Sequence, residues 1–203
     1  MQIATHGILA ASASAAAPSF SNTKSIDLDG VDDFVNIADN ANLSFGDGSN
    51  DSPFSISCWF KVSAVGSTQY IVNKRLIASS SSNRYEYALY IGTSGNVNFA
   101  VYDAASVVRR GRKSSSSIVS IDTWYNLIGT YNGVGGTNAQ AGLKVYLNGV
   151  QVDNADNNNN TYVAMHNTSE AFKIGSNTSG IVDEVAIFNS ELSASDVTTI
   201  YNS

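Results

Sequence analysis

The chain has 203 residues, of which 43% are hydrophobic and only 14% charged, and its formal net charge is −6. That balance leaves no basic footprint for nucleic acid, no run reaches the ~20 apolar residues of a membrane-spanning helix, and the single cysteine excludes an intrachain disulfide. A domain of this length buries roughly 70% of the surface its unfolded chain exposes, so the core needs no covalent staple.

Residues 1–24 show no apolar period and carry no Lys or Arg before Lys24. Their Ala/Ser run is interrupted by polar residues and fits a secretion signal poorly. The segment reads as an arm with too few bulky groups to build a core. Its apolar residues Ile3, Ile8, Leu9 and Phe20 suit ordering against a partner, or against copies of the same chain in a homo-oligomer.

Regular pattern begins at Ser25. Ile26 and Leu28, then Phe34, Val35 and Ile37, predict two short strands around the acidic turn Asp29-Gly30-Val31-Asp32-Asp33. Residues 38–52 are polar and Gly-containing and predict a loop. From Phe54 to Val62 the alternation is strict and puts Phe54, Ile56, Cys58, Phe60 and Val62 on one face. Cys58 is thereby expected in the core rather than at a reactive site.

Further strands are expected at Tyr70–Val72, Tyr85–Ile91, Val97–Tyr102, Trp124–Tyr131, Leu143–Leu147, Val150–Val152, Phe172–Gly175 and Ile181–Phe188. Asn148-Gly149 is the strongest hairpin signal among them. Residues 156–160 predict a mobile polar loop. Ser193, with Asp196 three residues on, predicts a capping box for a short terminal helix. Val197, Ile200 and Tyr201 would turn its apolar side to a sheet edge or end. Short strands separated by turn signals, with one helix, predict an all-β, two-sheet antiparallel sandwich over residues 25–203.

Two groups of side chains stand out as binding candidates. Most aromatics belong in the core, but Tyr85, Tyr87 and Tyr102 form a polar-facing subset that could stack on sugar rings. Arg109, Arg110, Arg112 and Lys113 are four of the eleven basic residues. They read as a solvated hairpin loop, or as a patch for an acidic neighbouring subunit or an anionic glycan.

The ordered segments Leu-Asp-Gly-Val-Asp-Asp-Phe-Val (28–35), Phe-Ser-Ile-Ser-Cys-Trp-Phe-Lys-Val (54–62), Trp-Tyr-Asn-Leu (124–127), Leu-Lys-Val-Tyr-Leu-Asn-Gly (143–149), Ile-Gly (174–175) and Val-Asp-Glu-Val-Ala-Ile-Phe-Asn (182–189) carry a resemblance. Together they resemble the laminin-G-like branch of the concanavalin A-like lectin/glucanase superfamily, over about residues 25–203. The resemblance implies a jelly roll, often with a calcium ion near the first and last strands. It would bring Asp183 of the last strand near the Gly-containing turn, where Asp29, Asp32 and Asp33 could offer ligands, with Asp29, Asp33 and Asp183 the best candidates; the alternative is that Asp and Gly simply make a turn and that Asp183 caps a buried backbone group.

Glucanases of the superfamily place acids at i, i+2 and i+4 on one strand, and that spacing is missing here. Asp183 and Glu184 are adjacent, so a regular strand would send them to opposite faces. Glu86 stands alone, and the two histidines, His6 and His166, join no Ser-His-Asp group. No catalytic residue is assigned.

The arm is similar to the start of many tailed-phage virion proteins. The leading expectation is therefore a non-enzymatic virion structural protein, a capsid decoration, head-fibre or tail-fibre subunit at the virion surface. It would contact other virion proteins and display a lectin-like domain to host glycans. The alternative is a secreted or surface carbohydrate-binding module.

Overall fold

The computed structural model describes residues 24–76, 84–103 and 108–203. The proposed arm contacts Ile3, Ile8, Leu9 and Phe20 lie outside the described residues. Among the described residues thirteen strands, all paired antiparallel, form two sheets. The six-stranded sheet runs in the order β1 (Ile26–Asp29), β13 (Ser179–Phe188), β3 (Phe54–Val62), β8 (Tyr125–Tyr131), β9 (Leu143–Leu147), β10 (Val150–Gln151). The seven-stranded sheet runs β11 (Ala155–Asp156), β7 (Val108–Lys113), β6 (Val97–Asp103), β5 (Arg84–Ile91), β4 (Gln69–Leu76), β12 (Phe172–Ser176), β2 (Val35–Ile37). This is the expected jelly-roll sandwich.

The alternation in β3 does what it predicts. Phe54, Ile56, Cys58, Phe60 and Val62 are fully buried, and they join Tyr87, Leu89, Ile91, Phe99 and Val101 of the facing sheet in one core. Burial of each such side chain contributes roughly 1.5–3 kcal/mol. Burial also pushes the Cys58 thiol up, as for a structural core cysteine. At the β9–β10 hairpin, Asn148 and Gly149 adopt φ of 52° and 77°, the left-handed pair that a two-residue turn requires.

Helix α1 (Ala194–Tyr201) has the predicted box: Ser193 caps the Asp196 amide, and the Asp196 carboxylate accepts from the Ser193 amide. Its Val197, with Leu192, packs on Ile128 and Tyr146, so it covers the outer face of the six-stranded sheet rather than an edge or end.

Two local expectations are corrected. The run Arg109 to Lys113 is not a solvated loop but part of strand β7, paired residue for residue with β6. Residues 156–160 are not a free loop either. Asn158 Oδ1 accepts from the Gly111 amide at 3.1 Å and Asn159 Oδ1 from the Arg109 amide at 2.6 Å, which pins the segment along β7.

Loop 38–52 also contributes to the core: Phe45 stacks on Phe54 with ring centroids 4.3 Å apart. Asp51 ties the loop down, because Oδ2 accepts from the hydroxyls of Tyr131 (2.6 Å) and Tyr162 (2.7 Å) and Oδ1 from the Met165 amide (2.7 Å).

One glycine is a steric requirement. Gly180 sits at φ +139°, and a Cβ there would lie 2.2 Å from the Lys61 carbonyl oxygen of the paired strand. Gly180→Ala is expected to cost about 2–4 kcal/mol from backbone strain and forced separation of β13 from β3. Urea denaturation would check this; a variant within about 0.5 kcal/mol of the parent, the size of an ordinary surface change, would refute it.

Candidate functional site

The outer face of the seven-stranded sheet, away from the core, carries an aromatic cluster. Tyr70 of β4, Tyr85 and Tyr90 of β5 and Tyr102 of β6 gather around Ala88 and Ala100. Simple alternation would put Tyr85 and Tyr87 on the same side. A bulge prevents that: Lys74 pairs with Tyr87 and Arg75 with Tyr85, so Glu86 is an extra residue on β5. Tyr87 therefore points into the core, fully buried, and donates its hydroxyl to the Leu43 carbonyl. It is removed from the sugar-stacking candidates.

Tyr85 and Tyr102 do face outward, but each is only 5% exposed. They serve as the floor of the cluster rather than as open platforms. Burial holds the Tyr90 and Tyr102 hydroxyls above the usual tyrosine value.

The bulge has a second consequence. It sets Tyr85 opposite the outward-facing Arg75, whose guanidinium lies 3.9 Å from the Tyr70 centroid and 4.7 Å from that of Tyr85. On the far side Asn157 donates to the Tyr90 hydroxyl at 2.6 Å, and Arg109 Nε donates to Asn157 Oδ1 at 3.0 Å, which closes that part of the face.

The near side, toward β12, stays open. There a cleft of about 190 Å³ is bounded by Tyr70, Asn73 and Arg75 of β4, Lys173 and Ser176 of β12, and Asp32 and Phe34 of the first turn. Phe34 is 47% exposed with the Lys173 ammonium 5.3 Å from its ring centre. Asn73, which lines the cleft, donates Nδ2 to Ser176 Oγ at 3.2 Å. The cleft thus offers aromatic faces, two cations, a carboxylate and an amide within one concavity. Such a set can hold a ring by its apolar face and its polar substituents by hydrogen bonds.

Sequence reasoning missed these residues for a clear reason. Phe34, Tyr70 and Lys173 come from three distant segments, and nothing local marks them as neighbours.

The acidic turn borders this cleft. The carboxylates of Asp29, Asp32 and Asp33 lie within 4.8 Å of one another. Asp29 Oδ1 accepts from the Val31 amide at 2.8 Å, a bond that holds its carboxyl below the usual range, and Asp33 Oδ2 accepts from the Asp29 amide at 3.1 Å.

Asp183 is not part of the group. In the β1–β13 register Asp29 faces Ser179, and Asp183 lies four residues further on, about 13 Å along the strand. The donor type fits a hard cation such as Ca²⁺, which takes carboxylate oxygens, with Asp32 in the place the sequence reading gave to Asp183.

The basic run does not form an open patch. Arg110 is buried and donates to the carbonyls of Thr137 (3.1 Å) and Asn159 (3.3 Å). Arg112 pairs with Asp153 at 2.9 Å and with Asp156. With Arg109 held by Asn157, three of these four basic side chains are engaged within the chain, and Lys113 ends β7, paired with Asn98 of β6 and Ala155 of β11.

A family model of the concanavalin A-like lectin/glucanases superfamily matches residues 29–198. No curated protein matches the sequence. Among solved structures, domain 4 of the extracellular arabinanase AbnA of Geobacillus stearothermophilus, in complex with arabinotriose, is similar. It has 19% identity over 87% of this chain and 76% of that one, with a TM-score of 0.57. The binding domain of Paraclostridial Mosquitocidal Protein 1 (16% identity, TM-score 0.62) and the receptor binding domain of botulinum neurotoxin D (18%, 0.59) each match 88% of this chain. The match spans 43% of each of those two chains. At these identities the likeness is one of fold.

Proposed function

We propose that this chain, which belongs to the concanavalin A-like lectin/glucanase superfamily, is a non-catalytic carbohydrate-binding domain that takes a sugar in the cleft between the first turn and strands β4 and β12. The observation that carries the reading is the Tyr70–Arg75 and Phe34–Lys173 pairing around Asn73 and Asp32. An exposed ring supplies a stacking face, while amide, carboxylate and ammonium supply the directional bonds that select among hydroxyl patterns. A volume near 190 Å³ lies below the ~300 Å³ of drug-sized pockets and suits one sugar ring of a longer chain. The similarity to a domain solved with arabinotriose supports a glycan as the ligand class.

Screening the whole protein on an array of plant, bacterial and animal oligosaccharides tests the reading. Saturable binding to a defined subset is expected, with no reducing ends released from any bound polymer. Uniform silence across the array would count against it.

A Ca²⁺ ion on Asp29, Asp32 and Asp33 belongs to the same proposal, as a brace for the wall that bears Asp32 and Phe34. At about a hundred times Kd, an ion that binds only the folded state adds about 2.7 kcal/mol, a rise of about 5–10 °C in melting temperature for a domain of this size. Thermal melts in EGTA and in millimolar Ca²⁺ should differ by that order, and Asp32→Ala should erase the difference. Identical melts of the parent protein would refute it.

The second reading places this domain on a virion, as a decoration or fibre subunit in contact with other virion proteins. The small-residue composition of residues 1–24 favours it. A protein beginning at Lys24 would then keep its glycan binding and lose incorporation into particles; unchanged incorporation would contradict this role for the arm.

A further inference from the structure

The opposite outer face, that of the six-stranded sheet, has its own cleft. Trp59 of β3, Trp124 just before β8, and Asp183 and Glu184 of β13 line about 270 Å³ beside the C-terminal Ser203. Strict alternation would have parted the two acids. A register shift between Asp183 and Ala186, with Glu184 in the left-handed region at φ +47°, instead places both on this one cleft.

Trp59 is backed by Tyr201 of α1, with ring centroids 5.9 Å apart and 24° between planes. Trp124 is 39% exposed and has the Lys61 ammonium 5.6 Å from its ring centre. A braced indole, a half-open one and two acceptors therefore line one concavity, with a cation over the second ring.

We infer that this cleft is a second glycan site, which takes a neutral pyranose by stacking on the indoles. The choice between a polyol and an ion follows from the charges. An ion site presents one sign, whereas here the Lys61 ammonium lies over Trp124, which lines the same cleft as Asp183 and Glu184. Mixed donors and acceptors match hydroxyl groups, which both donate and accept. The two clefts lie on opposite faces of the sandwich, so one domain can bridge two glycan chains and gain avidity from a multivalent surface. The inference rests on the glycan-binding reading for its ligand class only, since no residue is shared between the clefts.

The sequence supplies the means to separate them, because the only two tryptophans are Trp59 and Trp124. Cellotriose, arabinotriose and tri-N-acetylchitotriose would be titrated into the full chain, with tryptophan emission and calorimetry read in parallel. The expected result is a saturable change in emission for at least one of them. Trp124→Ala should weaken that binding about tenfold or more, the range for loss of an aromatic anchor, and Tyr70→Ala should leave it unchanged. Glu184→Gly, which removes the acceptor and relieves the left-handed strain, is a second variant expected to weaken it with the fold kept.

Calorimetric binding without any change in emission, lost in Tyr70→Ala, would overturn the second site and leave the first standing. Silence in both readouts would overturn both. An emission change with choline or glucosamine but with none of the neutral sugars would show a cation site and overturn the polyol assignment.

Discussion

Tyr70→Ala is expected to lose glycan binding at the first cleft by about 2 kcal/mol or more, a factor of about 30, as truncation of a central aromatic anchor does. The residue has two roles there. It offers its own ring, and it is the surface against which the Arg75 guanidinium rests at 3.9 Å. Without it Arg75 loses its fixed orientation, so the polar contacts weaken together with the stacking one. Tyr70→Phe keeps the ring and the cation contact and should retain most of the affinity. Phe34→Ala, at the exposed rim, should show a smaller loss. Isothermal titration of the three variants with the best array ligand measures all of this. Equal affinities for parent and Tyr70→Ala would place the ligand elsewhere.

The largest stability effect is expected from Lys74→Met. Lys74 is fully buried, and its ammonium meets Glu86 Oε1 at 2.6 Å, Asp39 Oδ1 at 2.8 Å, Ser44 Oγ at 2.8 Å and the Thr168 carbonyl at 3.0 Å. Glu86 is also fully buried, and the same Oε1 accepts from the Thr168 amide and hydroxyl. Its Oε2 has no hydrogen-bond partner among the described residues.

Removal of one partner of such a pair strands the other in the core and costs about 3–5 kcal/mol, on the order of 10 °C in a domain of this size. Glu86→Gln should cost less, because Lys74 keeps Asp39.

The two changes also differ in pH dependence. Burial holds the Glu86 carboxyl above the usual value of 4.5 against the pull of Lys74, and loss of Lys74 raises it further. An acid whose folded pKa exceeds its unfolded one binds its proton more tightly in the folded state. Stability then increases as pH falls from above the folded value toward the unfolded value. The deficit of Lys74→Met should therefore shrink between pH 8 and pH 5. Chemical denaturation at both pH values checks this; a deficit below about 1 kcal/mol, or one identical at the two pH values, would show that the pair is not the anchor described, given the cost expected of a broken buried pair.

Much of the sandwich was legible because period-two alternation is a local signal. It identified the inner face of β3 directly, as the local Asn148-Gly149 and Ser193/Asp196 signals identified the hairpin and the capping box of α1. It failed where the strand departs from its period. The extra residue Glu86 sends Tyr85 and Tyr87 to opposite faces, and the bulge at Glu184 unites two acids that alternation separates. It also failed where charge conceals a strand: Arg110 and Arg112 satisfy their guanidinium groups within the chain, so β7 looks like a loop in the sequence. The first cleft was invisible for a different reason, since Phe34, Tyr70 and Lys173 are brought together only by the β2–β12–β4 pairing.

The most direct test of the account is a heteronuclear NMR titration of the full chain with the best array ligand. Amide shifts at Phe34, Tyr70, Asn73, Arg75 and Lys173 are expected to move together along one saturation curve, which disappears in Tyr70→Ala. Perturbations that leave those five residues still and gather instead along β7, around Arg109 and Arg112, would contradict it.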